Sequence, residues 1–336
     1  MSAEFVGLWD ETLSNAQYLL ISFFLSAAAL AIFSGFLRAW LGRNEIGPRY
    51  RSSSISRLSA TAMAFMAYAG AMAQTRLGYD LVDGSFVPND SSMDTFTLQY
   101  FARAIALPLI AAAFIAVTGL IGARARWTIT LTSFFGFATM LCAYIGAFAV
   151  DRADSGAVVA WGAIGLVFFV GLNAVLVWAL RQSTKALTPS ANRVLRHAYG
   201  TLAASLAIYF IAYFLQICTS GGGWATAVQI ISSIGDVALL VIVGELIHRV
   251  AKLRTAEDVR AGVDVHPESI WISSVKQSDA GRPAEVYLDT HALVHDRRPK
   301  PPSSSAVALE QYEVPEPATD DFIIDETHVD EANRSR

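Results

Sequence analysis

Two charged residues lie inside long apolar stretches of this chain. Asp236 lies in the stretch I-I-S-S-I-G-D-V-A-L-L-V-I-V-G, and Arg103 lies in Q-Y-F-A-R-A-I-A-L-P-L. A charge at the centre of a bilayer costs roughly 2.5 to 3.5 kcal/mol on insertion scales, so each of these residues needs a partner. We expect them to pair with each other. Such a pair can bind a small ligand or sense protonation, or it can be only a polar clasp that holds helices together.

Other residues that carry chemistry give weaker signals. Glu245 is expected near the end of the same stretch as Asp236, either paired with Arg249 four residues later or extended to the surface. His197 and His248 are expected there as interfacial polar residues, because no Cys or further acid stands at metal-ligand spacing. The sequence has no phosphate-binding loop, nucleophile elbow, zinc motif or nucleic-acid-binding signature. It therefore predicts no enzyme, no metal site and no nucleic-acid partner.

Seven apolar stretches must position these side chains. Hydrophobic residues make up 54% of the chain and charged residues only 16%, which is far from the composition of a soluble domain. An apolar helix of about 20 residues crosses a bilayer, so we predict an all-α membrane protein with seven spans. The predicted spans are residues 15–38, 57–77, 98–121, 128–150, 156–180, 195–218 and 225–248.

The distribution of charge predicts the orientation. Of the 16 Lys and Arg residues before residue 254, 13 lie at the first, third and fifth connections or just after span seven. The opposite connections carry six aspartates against Arg76 and Arg152. By the positive-inside rule the N-terminus is outside and the C-terminus is cytoplasmic. We expect a multi-pass protein of the plasma membrane, with residues 1–14 extracellular and residues 15–253 forming the membrane domain.

From residue 254 to residue 336 the composition changes. This segment has 17 acidic residues against 9 Lys and Arg, and it holds most of the prolines. It is expected to be a mostly disordered cytoplasmic tail. The tail is either simply solvated or a binding site for a cytoplasmic protein, with residues 307–312 and 320–325 as candidate short motifs.

The order of residues in the last span resembles that of the microbial rhodopsins. Asp236, Val237, Gly244 and Arg249 keep the order and spacing of that family. In the family, a lysine four residues after the aspartate forms a Schiff base with retinal, and that position here is Leu240. The chain has four lysines, none of them in a predicted span: Lys185, Lys252, Lys276 and Lys300. The resemblance implies a seven-helix bundle of the microbial rhodopsin type that holds no retinal as a Schiff base, and no other cofactor is expected.

The same resemblance outlines a vestigial chromophore pocket. Span six keeps the tyrosine and the last aromatic residue of the family's aromatic cluster, but Phe210 replaces its proline. Spans two and five contribute a tyrosine and a tryptophan at matching places. The resemblance predicts that the pocket residues are Tyr68, Arg103, Trp161, Tyr209, Tyr213 and Asp236.

Span three departs most from the family pattern. Tyr100 and Pro108 fix the register, which puts Gln99 at the family's gating arginine and Ala102 at its proton acceptor. The family's proton donor falls on Ala113. A proton pump needs a series of groups that exchange protons across the bilayer, and this span has lost them. We therefore expect no light-driven transport.

These observations lead to one main hypothesis and two rivals. The main hypothesis is a sensory, regulatory or membrane-stress protein that works through its conformation, with the tail as its output. The first rival is a light-responsive protein that binds retinal or another polyene non-covalently. The second is a passive ion or proton conductor through the region of Arg103 and Asp236. The resemblance also implies a homo-oligomer in the lipid bilayer.

Overall fold

The computed structural model describes residues 11–90, 92, 95–150, 155–218, 221–261 and 263. Most of these residues are helical. The helices are α1 Asn15–Leu41, α2 Arg51–Leu77, α3 Thr95–Ala116, α4 Gly122–Tyr144, α5 Ser155–Ser183, α6 Pro189–Cys218, α7 Gly222–Val237 and α8 Gly244–Arg260. A π-helical turn, Ile145–Ala149, follows α4, and a second, Ala238–Val243, joins α7 to α8. Helix α7, this second turn and α8 form one continuous helical rod, Gly222–Arg260.

The seven predicted spans correspond to α1–α6 and to this rod, so the predicted seven-helix architecture is confirmed. Six of the seven are long and apolar enough to cross a membrane within the described part of the chain, and α2 is the exception. Its first two turns, R-S-S-S-I-S-R, are rich in serine and arginine. Large apolar side chains such as Phe23, Leu30 and Val167 are exposed on the outside of the bundle, as expected of a surface that faces lipid. The chain is a multi-pass integral membrane protein.

Neighbouring helices pack in chain order, and α1 closes the bundle against both α2 and α7. Helix α3 should carry the site. It is buried over much of its length, and its buried residues include small and branched ones such as Ala106, Ile110 and Ala111. Ala60 and Ala64 are among the buried residues of the facing helix α2. Small residues let helix backbones approach closely, so α2 and α3 are held firmly beside each other.

A small antiparallel sheet marks one end of the bundle. Its strands are β1 Leu13–Ser14, β2 Tyr79–Val82 and β3 Ser85–Pro88, in the order β1-β3-β2. The β2–β3 turn is Asp83-Gly84, and both residues have positive φ, which is typical of a tight hairpin. The sequence analysis did not predict this sheet. We call this end the sheet end, and we call the opposite end, which carries the α1–α2, α3–α4 and α5–α6 connections, the basic end.

Helix α8 continues past the predicted end of the membrane domain at residue 253. It ends at Arg260, and its last turns are held against the bundle. Arg254 is buried and donates to the carbonyl oxygens of Val117 and Thr118. Thr255 accepts a hydrogen bond from the backbone N–H of Gly47 at 2.9 Å. The two candidate tail motifs, residues 307–312 and 320–325, lie outside the described residues.

Candidate functional site

The two charged residues of the apolar spans meet in the middle of the bundle. Helix α3 carries Arg103 and the rod carries Asp236. The Arg103 Nη2 atom lies 2.8 Å from Asp236 Oδ2, and its Nε atom lies 2.9 Å from Oδ1. The side chains are only 5% and 4% exposed. The predicted ion pair is therefore confirmed, and its two-pronged geometry is the strongest that arginine and a carboxylate form.

Two tyrosines from other helices complete the bonding of the carboxylate. The Tyr68 hydroxyl on α2 donates to Asp236 Oδ2 at 2.7 Å, and the Tyr209 hydroxyl on α6 donates to Oδ1 at 2.5 Å. These two contacts were also predicted and are confirmed. A carboxylate offers about four acceptor positions, and arginine and the tyrosines fill them from three sides. Four helices are thereby joined at one buried point.

A string of amides and hydroxyls continues from this point toward the sheet end. Gln99 accepts from Arg103 Nη2 at 3.0 Å and donates to the side-chain oxygen of Gln229 at 3.0 Å. Gln229 in turn donates to the Ser233 hydroxyl at 2.9 Å. Both glutamines are buried. The sequence analysis recognised Gln99 only as the replacement of an arginine and missed Gln229, although a glutamine in an apolar span is itself a signal of a buried hydrogen-bond network.

The position expected for the attachment lysine faces the ion pair. Leu240 lies in the π-helical turn and is buried. It lines a small cavity together with Asp236, Ala102 and Ala106. No lysine lines this cavity. The atoms around the carboxylate thus include a guanidinium and two phenols, but no amine.

A second cavity also borders Arg103, between α3, α4, α5, α6 and the rod. It is narrow and partly open to the outside of the bundle. Its lining is mostly apolar, with Met140, Ala143 and Phe210. Its residues are Tyr100, Arg103, Thr139, Met140, Ala143, Gly162, Gly165, Tyr209, Phe210, Ala212, Tyr213 and Ser232.

The predicted pocket residues divide between the two cavities, with one exception. Tyr68 and Asp236 line the small cavity, Tyr209 and Tyr213 line the large one, and Arg103 lines both. Trp161 lines neither. Its Cβ atom lies near Gly146 on the π-helical turn that follows α4, and the neighbouring Gly162 faces the large cavity instead. That Trp161 contributes to a chromophore pocket stays a prediction.

A second charged cluster lies at the basic end. Glu245 forms a two-pronged ion pair with Arg38 of α1, with both donor–acceptor distances at 2.7 Å. Neither predicted arrangement, a pair with Arg249 or extension to the surface, describes it. The rod turns Glu245 toward α1, and Arg38 reaches it from there.

Next to this pair, Glu45 in the α1–α2 connection accepts from His248 at 3.2 Å and from Lys252 at 3.0 Å. The hydrogen bond with His248 is the main cause that lowers the pKa of Glu45 to about 2. Partial burial opposes this shift, and Lys252 reinforces it. Within the described ranges, no group of three or more His, Cys, Asp or Glu residues could hold a metal ion. This cluster is thus a set of ion pairs.

The arrangement of helices is similar to that of several solved structures. The structure of thermophilic rhodopsin superposes with a TM-score of 0.69 at 24% sequence identity, covering 74% of this chain and 98% of that chain. The chain has the microbial rhodopsin fold. Xanthorhodopsin, described as a light-driven ion pump with dual chromophore, gives a TM-score of 0.68 at 23% identity with the same coverage. The rhodopsin of Exiguobacterium sibiricum gives 0.60 at 17% identity, covering 71% of this chain and 98% of that chain.

No protein-family model matches the sequence, and no curated protein matches it significantly. At these identities the likeness shows the fold, while the chemistry of the chain depends on its own residues.

Proposed function

We propose that this protein is a non-transporting sensory or regulatory membrane protein that uses the rhodopsin fold without covalent retinal. The observation that carries the proposal is the ion pair of Arg103 and Asp236. Its carboxylate accepts hydrogen bonds from the arginine and from Tyr68 and Tyr209. In a protein with a retinal Schiff base, that carboxylate would face the positive charge of the chromophore. Here a permanent side-chain cation occupies this role.

The residues present do not fit retinal bound as a Schiff base. Such a bond needs a lysine amine next to the aspartate, and Leu240 lines the cavity there. Of the four lysines, Lys185 and Lys252 lie in the described part of the chain, both at the basic end. We therefore propose that the wild-type chain forms no retinal pigment of the covalent kind.

Transport is also not supported by the arrangement of groups. Between Asp236 and Glu245 the rod presents the buried apolar residues Leu239, Leu240 and Val243. On α3 the buried residues toward the basic end include Leu107, Ile110 and Phe114. Among the described residues of the rod and α3, a proton would find no titratable group along this part of its path. No enzymatic activity is proposed either.

An absorbance measurement tests the proposal. The purified protein is mixed with all-trans retinal and scanned across the visible range, then treated with borohydride and digested. We expect the spectrum of free retinal and no reduced adduct on any peptide of the helices. A red-shifted band with a borohydride-reducible adduct in these peptides would refute the retinal-free assignment. A rhodopsin with its lysine intact, treated in parallel, is the positive control.

The regulatory part of the proposal concerns the predicted tail. Because residues 254–260 are the last turns of α8, we propose residues 261–336 as the output that binds a cytoplasmic protein. This proposal assumes an outer N-terminus and a homo-oligomer in the plasma membrane. We expect a change at the buried pair of Arg103 and Asp236 to alter the accessibility of residues 261–336 to protease. Limited proteolysis of wild type and of Arg103→Gln in nanodiscs measures this. Identical cleavage rates within 261–336 would count against a conformational output.

A second candidate function rests on the large cavity. Its apolar lining, with Arg103 and Tyr209 at one end, favours non-covalent binding of a polyene such as retinal. In that case added retinal gives a shifted band, and borohydride treatment leaves no adduct on the protein. Ala143→Phe, which fills the cavity, should abolish the band. Ala163→Phe is the matched control, because Ala163 is exposed on α5.

A further inference from the structure

Arg57 is a buried cation with unused hydrogen-bonding capacity. It lies on α2 near the basic end, and its side chain is only 5% exposed. Among the residues that the structure describes, neither its Nε nor its Nη1 atom has a hydrogen-bond partner. The Nη2 atom lies 3.9 Å from Glu245 Oε2, which is too long for a hydrogen bond. Buried N–H groups without acceptors are costly, and those of a charged group most of all.

The backbone of the rod passes directly beside this guanidinium at a glycine. Gly244 lies against it, and a Cβ atom at Gly244 would stand 3.3 Å from Arg57 Nε. Glu245, the next residue, is bonded through both oxygens to Arg38. One carboxylate therefore serves two arginines, and it bonds directly to only one of them.

Among the described residues, no acid other than Glu245 lies within ion-pair distance of Arg57. Glu45 is engaged by His248 and Lys252. The two carboxylates thus face Arg38, Arg57, Lys252 and a histidine, which leaves the cluster with excess positive charge. A ligand that balances this excess must be an anion with several acceptor oxygens.

The cluster also reaches the outer surface of the bundle. The Arg38 side chain is 69% exposed, and Leu37, Trp40 and Leu41 on the same helix end are exposed too. Exposed tryptophan and leucine next to arginine are typical of the zone where helices pass the lipid headgroups. An anion can therefore approach Arg57 past Arg38, either from the headgroup layer or from the aqueous phase.

From these observations we infer that Arg38 and Arg57 form a binding site for a phosphate group, in which Glu245 occupies part of the ligand's place. A pair of arginines binds phosphate because the parallel N–H groups of each guanidinium match the spacing of the phosphate oxygens. The phosphate can belong to an anionic lipid or to a soluble phosphate compound. This site goes beyond the proposed function, and it does not depend on the absence of retinal.

Thermal unfolding of the full chain in nanodiscs tests the site and distinguishes the two sources. One arm uses phosphatidylcholine nanodiscs with inorganic phosphate added at constant ionic strength against chloride. The other uses nanodiscs that contain phosphatidylglycerol, without added phosphate. We expect a higher unfolding midpoint in at least one arm. A response only to phosphatidylglycerol identifies a lipid, and a response only to inorganic phosphate identifies a soluble ligand. No response in either arm overturns the inference.

Variants decide whether the response belongs to this site. Arg57→Met and Arg38→Gln should each weaken the apparent affinity by about tenfold or more, the loss expected for a charge-assisted hydrogen bond. Arg51→Gln removes an exposed cation from the start of the same helix and should leave the affinity nearly unchanged. An equal loss in Arg51→Gln would mean that only general surface charge attracts the anion, and the inference would fail.

A variant that is expected to increase phosphate binding tests the site even if Arg57→Met does not fold. Glu245→Gln releases both arginines from their internal carboxylate while keeping its shape. It should raise the apparent affinity for phosphate by about tenfold. An unchanged or lower affinity in Glu245→Gln would overturn the inference.

Discussion

At the scale of single residues, Asp236 and Arg103 are tolerated in the bundle only because each has the other. Asp236→Asn leaves the guanidinium buried without a counter-charge, so we expect it to lower the free energy of unfolding by about 3–5 kcal/mol. Replacing both residues with leucine should cost much less, because no uncompensated charge remains. Chemical unfolding in nanodiscs measures both variants, and Asp80→Asn at the exposed sheet end is the control. A double variant less stable than Asp236→Asn would contradict this account.

Leu240 and its neighbours decide whether the pocket can again hold a pigment. Leu240→Lys alone should restore little colour, since the new cation lies near Arg103 and like charges disfavour the protonated Schiff base. Adding Ala102→Asp and Arg103→Trp supplies a counter-ion and removes the competing cation. We expect a visible pigment with retinal only in this triple variant, measured by absorbance. A colourless triple variant would mean that the pocket is filled, for instance by Phe210.

At the scale of elements, α6 should be straighter than a helix with a proline in the same place. The helix is continuous from Pro189 to Cys218, and Phe210 supplies a backbone N–H that proline lacks. We expect a bend below about 20° at Phe210, the usual threshold of a sharp kink, in an experimental structure. Phe210→Pro should bend the helix and destabilise it by about 3 kcal/mol or more. A sharp bend in the wild-type helix would contradict the argument.

The link between the α1–α2 connection and α8 should depend on pH. The pKa of Glu45 is lowered from 4.5 to about 2 in the folded chain. Its contribution to stability is therefore complete above pH 4.5 and lost as the pH falls toward 2. Glu45 is 43% exposed, so the effect is modest. We expect Glu45→Gln to unfold at a lower temperature than wild type at pH 6, and the difference to shrink at pH 3. A constant difference would exclude this origin.

The sequence predicted the elements and the central pair better than the ends of the bundle. Asp236 and Arg103 were found because a charge in an apolar span is conspicuous, and Pro108 anchored the register of α3. Arg57 was counted among the charges of the basic end, and its burial was missed. A residue near the boundary of a span can be buried or solvated without any change in the hydrophobic pattern of the sequence. The partner of Glu245 was missed for a similar reason, since Arg38 lies 207 residues away in the chain.

At the scale of the whole molecule, the polar groups form two separate regions. The central network extends from Asp236 toward the sheet end through Gln99 and Gln229. Toward the basic end it meets buried apolar residues such as Leu240, Val243 and Ile110. We therefore expect no path for ions on that side.

We expect liposomes that contain the protein to be no more permeable to protons than empty liposomes. An internal pH dye and an imposed potassium gradient with valinomycin measure the flux, and gramicidin is the positive control. A flux above the empty-liposome level that disappears in Asp236→Asn would instead favour the conductor hypothesis.

The π-helical turn Ala238–Val243 connects these two regions geometrically. In a regular α-helix, residues nine apart such as Asp236 and Glu245 point in directions about 180° apart, since each residue turns by about 100°. A π-helical turn accommodates one surplus residue, which brings the two directions to within about 80° of each other. His248, which would lie about 120° from Asp236, comes to within about 20°. The surplus residue thus rotates the part of the rod after the turn relative to the part before it. As a result, one helix directs Asp236 at Arg103, Glu245 at Arg38 and His248 at Glu45.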